Sequence, residues 1–195
     1  MNTCFFDLET KNLFEDIDKK YPIYSWSKKQ EKCRILTPKL GMACACIIND
    51  KNNRTDFEEG EELELLKSLN KYEIIVGHNI IKFDYPVLSP YDKNQQLPKI
   101  SNKTIDSFLA LKEKTEQFVS LNDLGKLNLG LKKTENSKEI PAMWKRGEKK
   151  RVKEYCFNDV LLLKKIYELG LTSPIKCYKK NYGRIEKILT INQPW

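Results

Sequence analysis

The 195-residue sequence predicts an α/β layer fold, a mixed β-sheet flanked by helices. Three observations lead there. Strand-like runs near the start form a meander of three strands. Further strand-like runs then alternate with segments of helical periodicity. A long amphipathic segment near residue 160 reads as a helix that packs on the sheet.

Thr3–Leu8 reads as the first strand, and Leu40–Ile48 (LGMACACII) as a second, buried one. Asn49–Asn53 is a turn into a short edge strand, Arg54–Phe57. Glu61–Asn70 has helical spacing, with Leu63, Leu66 and Leu69 three apart. Glu73–Val76 is another buried strand, closed by Gly77. Ile81–Leu88 reads as a short helix limited by Pro86 and Pro90. Lys103–Ile105 is a further strand, followed by a helix from Asp106 or Ser107 to about Lys114. Ser120–Leu127 is a short helix with Ser120 as its cap and Asp123 three positions on.

Asn128–Glu148 is loop-rich. Lys149–Leu169 is strongly amphipathic through Val152, Tyr155, Cys156, Val160, Leu163 and Tyr167, and Gly170 is expected to stop it. Beyond Pro174, two β-like stretches occupy Ile175–Tyr178 and Arg184–Ile191. The polar connection Lys11–Lys39 is too long for a plain turn and reads as an ordered excursion or flap. Its aromatics Tyr21, Tyr24 and Trp26 are expected to pack on the core, with base stacking as the alternative. No repeat or low-complexity segment interrupts what reads as one domain over 1–195.

Formal net charge is +8 and the pI about 9.0, a balance suited to a polyanionic partner as well as to simple solubility. Cys4, Cys33, Cys44, Cys46, Cys156 and Cys177 include no C-x-x-C pair, and His78 is the sole histidine, which argues against zinc. Acidic residues appear by position 7, and no apolar run approaches membrane-spanning length. A reducing cytoplasm is the expected location, with no membrane partner.

Against this basic background, four acids stand out: Asp7 and Glu9 in FFDLET, Asp84 in VGHNIIKFDYPVL, and Asp159 in YCFND. Asp7 and Glu9, two apart on a strand, leave the same face. Tyr155 and Asp159, four apart on a helix, share a face too. Carboxylates set in apolar sequence require a compensating cation or proton, and hard divalent ions prefer such oxygen ligands.

Taken together and in this order, these three motifs resemble the DEDD 3′–5′ exonucleases of the ribonuclease H-like superfamily. The stretch from VGHN through FDYPVLSPY, with SLNDLGKLNLG and MWKRGEKKRVKEYC, is most similar to the exonuclease-like domains found alone or beside helicases in bacteria and phages. The resemblance spans roughly residues 3 to 170. One family variant has a histidine five positions before the last aspartate, where this chain has Glu154. The other has a tyrosine four positions before it, and Tyr155 stands there, so the chain resembles the tyrosine variant.

The resemblance implies a ribonuclease H-like fold and two Mg²⁺ or Mn²⁺ ions per site. Asp7 would bridge them, Glu9 and Asp159 would complete the first, and Asp84 would hold the second. It implies release of nucleoside 5′-monophosphates from a 3′ end, with DNA preferred to RNA and any helicase on a separate chain. Tyr155 would orient the attacking water, since a phenol with a pKa of about 10 is a poor base near pH 7. For substrate binding the candidates are Asn79 and, from the basic cluster Lys145, Arg146, Lys149, Lys150, Arg151 and Lys153, chiefly Lys149 and Arg151. Asp106 reads as a helix cap rather than a ligand, and His78 as a structural group rather than a base. The alternatives are an exoribonuclease of the same chemistry and a non-catalytic nucleic-acid-binding module.

Overall fold

The computed structural model describes residues 2–19, 26–131, 137–181 and 183–195, the side chains of 26–30 excepted. Strands β1 (Thr3–Thr10), β2 (Met42–Asn49), β3 (Arg54–Glu58), β4 (Ile74–Gly77) and β5 (Thr104–Asp106) form one sheet in the order β3-β2-β1-β4-β5. β2 runs antiparallel to β1 and to β3, whereas β1, β4 and β5 are parallel. The expected mixed sheet is therefore present, with β1 at its centre.

The two faces of β1 feed two cores. Phe5 packs with one cluster that includes Leu124, Trp144, Val160 and Leu163. Cys4, Phe6 and Leu8 pack with the other, which includes Leu65, Leu66, Leu69, Tyr85 and Leu88. Strict alternation along TCFFDLET thus sends each set of side chains to its own layer. Helices α1 (Phe14–Ile17) and α2 (Trp26–Leu36) lie within the 11–39 excursion. The rings of Tyr21, Tyr24 and Trp26, expected to pack on the core, lie outside the described residues.

After β3 comes α3 (Glu62–Asn70), after β4 come α4 (Asp84–Leu88) and α5 (Leu97–Ser101), and after β5 come α6 (Ser107–Thr115), α7 (Leu121–Leu129) and α8 (Ile140–Lys145). α9 (Lys149–Thr172) crosses β1 and β2, and a separate hairpin of β6 (Ile175–Asn181) and β7 (Arg184–Ile191) ends the chain.

Several boundaries differ from expectation. α3 buries Leu65, Leu66 and Leu69, leaving Leu63 only half-buried. A 3.6-residue turn favours i, i+1, i+4 over a strict spacing of three. The segment 81–83 is a turn, and α4 begins at Asp84. The loop-rich 128–148 stretch contains α8, which buries Ile140, Met143 and Trp144. α9 does not stop at Gly170 but runs on to Thr172. A Cβ at Gly170 would fall 2.1 Å from Trp195 Cζ2, so this glycine admits the C-terminal indole rather than ending the helix. That indole stacks 5.5 Å from Tyr167 and donates to its carbonyl at 3.1 Å.

α9 is pinned at a second point. Lys164 is buried, and its ammonium donates to Asn49 O at 3.1 Å, Asp50 O at 3.2 Å and Asn52 Oδ1 at 2.8 Å. These acceptors belong to the end of β2 and its turn, and they satisfy a charge that burial would otherwise penalise. Among the described residues, no helix is long and apolar enough to cross a membrane.

Candidate active site

β1 stays paired with β2 as far as Thr10, but its parallel pairing with β4 ends at Phe5 opposite Val76. Beyond that point one edge of β1 is open, at the carboxyl ends of the parallel strands where α/β sheets commonly leave a crevice. A cavity of about 830 Å³ occupies this place. Its walls include Asp7, Glu9, Asn79, Asp84, Tyr155 and Asp159.

Asp7 and Glu9 follow Phe5 on the α9-facing side of β1. Tyr155 and Asp159 face them from one side of α9. Carboxylate oxygens of Asp7, Glu9 and Asp159 lie within 4.8 Å of one another. The Cys156 thiol fixes the helix against the strand by donating to the Asp7 carbonyl at 3.5 Å. Hydrogen bonding with Cys44 and burial both push that thiol well above its usual range, so it remains an S–H donor.

Asp84 enters from the opposite side. As the first residue of α4 it is almost fully buried, and its Oδ1 accepts from the Leu8 N–H at 3.0 Å on the open edge of β1. Burial pushes its carboxyl up to about 8; the Leu8 hydrogen bond opposes this and the nearby Asp106 charge adds to it. Without a cation, Asp84 therefore tends to hold a proton near neutral pH.

Tyr155 is buried, and its phenol is raised far above the ordinary tyrosine range. Burial is the largest cause, followed by the charges of Asp159, Glu9 and Asp7 and a hydrogen bond to Asp159. It is a neutral donor at any working pH. Glu154, which stands where the histidine variant has its base, instead binds Arg54 at 2.8 Å on the far side of α9.

Asp106 caps α6, accepting from Phe108 N and Leu109 N. The same carboxylate also accepts from Asn79 N at 2.8 Å and Ile81 N at 3.0 Å. It thereby buckles the turn after β4, where Asn79 takes a left-handed φ of +69°. The cap is also the support of the cavity wall. His78 binds Ser107 Oγ and the Val119 carbonyl, each at 2.9 Å. The carbonyl can only accept, so Nε2 carries a hydrogen there. Both ring nitrogens serve structure.

Lys149 and Arg151 are not brought to the cavity wall. Lys149 pairs with Glu58 at 3.1 Å and Arg151 with Glu148 at 3.0 Å. Lys145, Arg146 and Lys153 also meet acids, namely Asp16, Glu148 and Glu58. The wall does include Asn122, Ser137, Lys138, Phe108 and Phe118, to which the sequence reading assigned no role. Asn122 lies in SLNDLGKLNLG, one of the stretches that carry the resemblance, whereas Phe108, Phe118, Ser137 and Lys138 come from loops and helix ends with no motif and are identified by proximity in three dimensions.

No protein-family model matches this chain, and no curated protein sequence matches it. Solved structures do match. One is the family B DNA polymerase from the hyperthermophilic archaeon Pyrobaculum calidifontis, with a TM-score of 0.58 at 13% identity. The match covers 88% of this chain and 24% of the polymerase chain, so the protein spans about a quarter of that chain's length. A likeness at this identity shows the fold: a ribonuclease H-like mixed sheet flanked by helices.

Proposed function

We propose that the chain is a metal-dependent 3′–5′ exonuclease that hydrolyses the terminal phosphodiester of DNA and releases nucleoside 5′-monophosphates. The observation that supports this reading best is the gathering of Asp7, Glu9 and Asp159 oxygens within 4.8 Å, beside a neutral Tyr155 and a buried Asp84. The donor set fits Mg²⁺ or Mn²⁺. Three carboxylates with no sulfur or imidazole among them are the hard oxygen donors such an ion prefers, and Asp7, Glu9 and Asp159 would hold it. Asp84, on the other side of Asp7 and Glu9, is the candidate ligand of a second ion.

When bound, such ions supply Lewis-acid stabilisation of the charge that develops on the phosphoryl oxygens. The chain's own groups do the rest. Asp7, Glu9 and Asp159 would hold these ions and so place them against the terminal phosphate. The Tyr155 hydroxyl, hydrogen-bonded to Asp159, would accept a hydrogen bond from the attacking water and aim its lone pair at phosphorus; the P–O3′ bond breaks, and the proton the water loses is balanced by the one that solvent delivers to O3′. Asn79, held by Asp106, borders the place for the terminal nucleotide. Phe83, Phe108 and Phe118 provide apolar wall against which bases can rest.

The test is a time course on 5′-labelled and 3′-labelled DNA and RNA strands, with Mn²⁺ or with EDTA. The reading expects a ladder shortening from the 3′ end of the 5′-labelled DNA, immediate release of labelled mononucleotide from the 3′-labelled DNA, and neither in EDTA. Intact 3′ ends in Mn²⁺ would remove it, and faster loss of RNA would reassign the substrate.

A further inference from the structure

The β6–β7 hairpin buries little of itself. Ile175 and Cys177 are buried beside α7 and α9, but every residue from Arg184 to Ile188 is exposed. Ile185 and Ile188 are 56% and 52% exposed. The hairpin carries Lys176, Lys179, Lys180, Arg184 and Lys187, with Glu186 as its one acid. Lys179 and Lys187 are direct cross-strand partners. Like charges placed opposite each other weaken a two-stranded ribbon. Glu186 eases this through Lys179 at 3.8 Å, and an anionic ligand would ease it further.

The hairpin is anchored at the mouth of the cavity. The Lys180 N–H donates to Gln117 Oε1 at 3.1 Å, and the Lys180 ammonium pairs with Asp123. Between these two anchors in sequence lies Phe118, a cavity-wall residue that is 59% exposed. Lys112 places its ammonium 4.6 Å from the centre of the Phe118 ring. An exposed aromatic with a neighbouring cation, continuous with a cationic ribbon, matches the chemistry of a single nucleic-acid strand, in which phosphates need cations and bases need flat apolar faces.

We propose that Phe118 and the β6–β7 hairpin form a binding track for single-stranded nucleic acid upstream of the end held in the cavity. Phe118 stacks a base, and Lys179, Arg184 and Lys187, which the register puts on one face of the ribbon, meet the phosphates behind it. The direction of the strand rests on the exonuclease reading; the existence of the track does not.

The test is fluorescence anisotropy of 5′-labelled dT20 in EDTA, where no cleavage is expected, titrated at several salt concentrations. The triple variant K179Q/R184Q/K187Q is expected to flatten the slope of log affinity against log salt by about 2, from roughly 0.7 per lost phosphate contact. Phe118→Ala is expected to weaken binding about tenfold with little change in slope. The substituted side chains are exposed or half-buried, and circular dichroism verifies the fold. Failure of the wild type to bind dT20, or a wild-type slope in the triple variant, overturns the track. Wild-type affinity in Phe118→Ala overturns the stacking role and with it the continuity of the track. Hairpin-dependent binding by a protein that leaves 3′ ends intact in Mn²⁺ would sink the exonuclease reading and keep the track. Trimming of 3′ ends with hairpin-independent binding would do the reverse.

Discussion

Replacing Asp7 by asparagine should stabilise the metal-free protein while abolishing its response to divalent cations. Carboxylate oxygens gathered within 4.8 Å of one another repel, when charged, by at least about 3.5 kcal/mol per pair at an effective dielectric of about 20. Asp7 belongs to two of the three pairs among Asp7, Glu9 and Asp159. Water in the open cavity and neighbouring groups screen part of this, so the gain from Asp7→Asn is smaller than two such terms, about 1–3 kcal/mol. For a chain of this length, each 1 kcal/mol moves the melting temperature by about 2–4 °C. The variant should therefore melt at least about 2 °C above wild type in EDTA. Saturating Mn²⁺ should raise the wild type by about 2.7 kcal/mol at a hundredfold excess over Kd and leave the variant near its EDTA value. Thermal melts followed by circular dichroism with and without Mn²⁺ measure both. A variant that melts lower in EDTA, yet keeps the full Mn²⁺ shift, would refute the three carboxylates as a cation site.

The other perturbations act on different parts of the molecule. Asp7→Ala should abolish hydrolysis of a labelled single strand in Mn²⁺, whereas Tyr155→Phe should lower the rate about a hundredfold through misplacement of the water; equal losses would contradict that division. The Asp84 carboxyl is raised from an ordinary 3.8 to about 8. Between those pH values the unfolded chain has released a proton that the folded chain keeps, so metal-free stability contributed here falls as pH rises from about 4 to about 8. Asp84→Asn should remove that part of the slope in urea midpoints measured in EDTA at pH 5 and pH 8, and an unaltered slope would discount the burial argument. Gly170→Ala gains helix propensity but would set its Cβ 2.1 Å from Trp195, so a net loss of about 1–3 kcal/mol is expected by urea denaturation. In a Trp195→Ala background the loss should shrink to the part caused by Pro194, whose Cγ lies 2.8 Å from the same Cβ, and an equal loss in both backgrounds would exclude the indole as the cause.

Local pattern made the chemistry-bearing elements legible. The D-x-E spacing on a strand and the Y-x-x-x-D spacing on a helix each fix a face, and backbone geometry enforces those faces wherever the elements pack. Asp106 is likewise readable as a cap from its place before Ser107. Propensity misleads at Gly170, because the indole that needs the missing Cβ arrives from residue 195. The basic run beside the third motif is legible as well, but its pairings, Lys149 with Glu58 on β3 and Arg151 with Glu148, depend on how α9 packs and are visible only in the structure.

By itself, then, the sequence determined which side chains share a face: Asp7 with Glu9, Tyr155 with Asp159, and the alternating residues that build one core on each side of β1. The tertiary structure alone decided that β4 leaves β1 early, opening the edge where Asp84 accepts from Leu8, and that Lys138, Asn122 and Phe118 border the same cavity. It also decided that a cationic hairpin is moored next to Phe118. The difference is physical. Faces follow from periods of 2 and 3.6 residues within one element, whereas where a sheet parts and which loops meet depends on contacts between residues tens of positions apart, which no local period encodes.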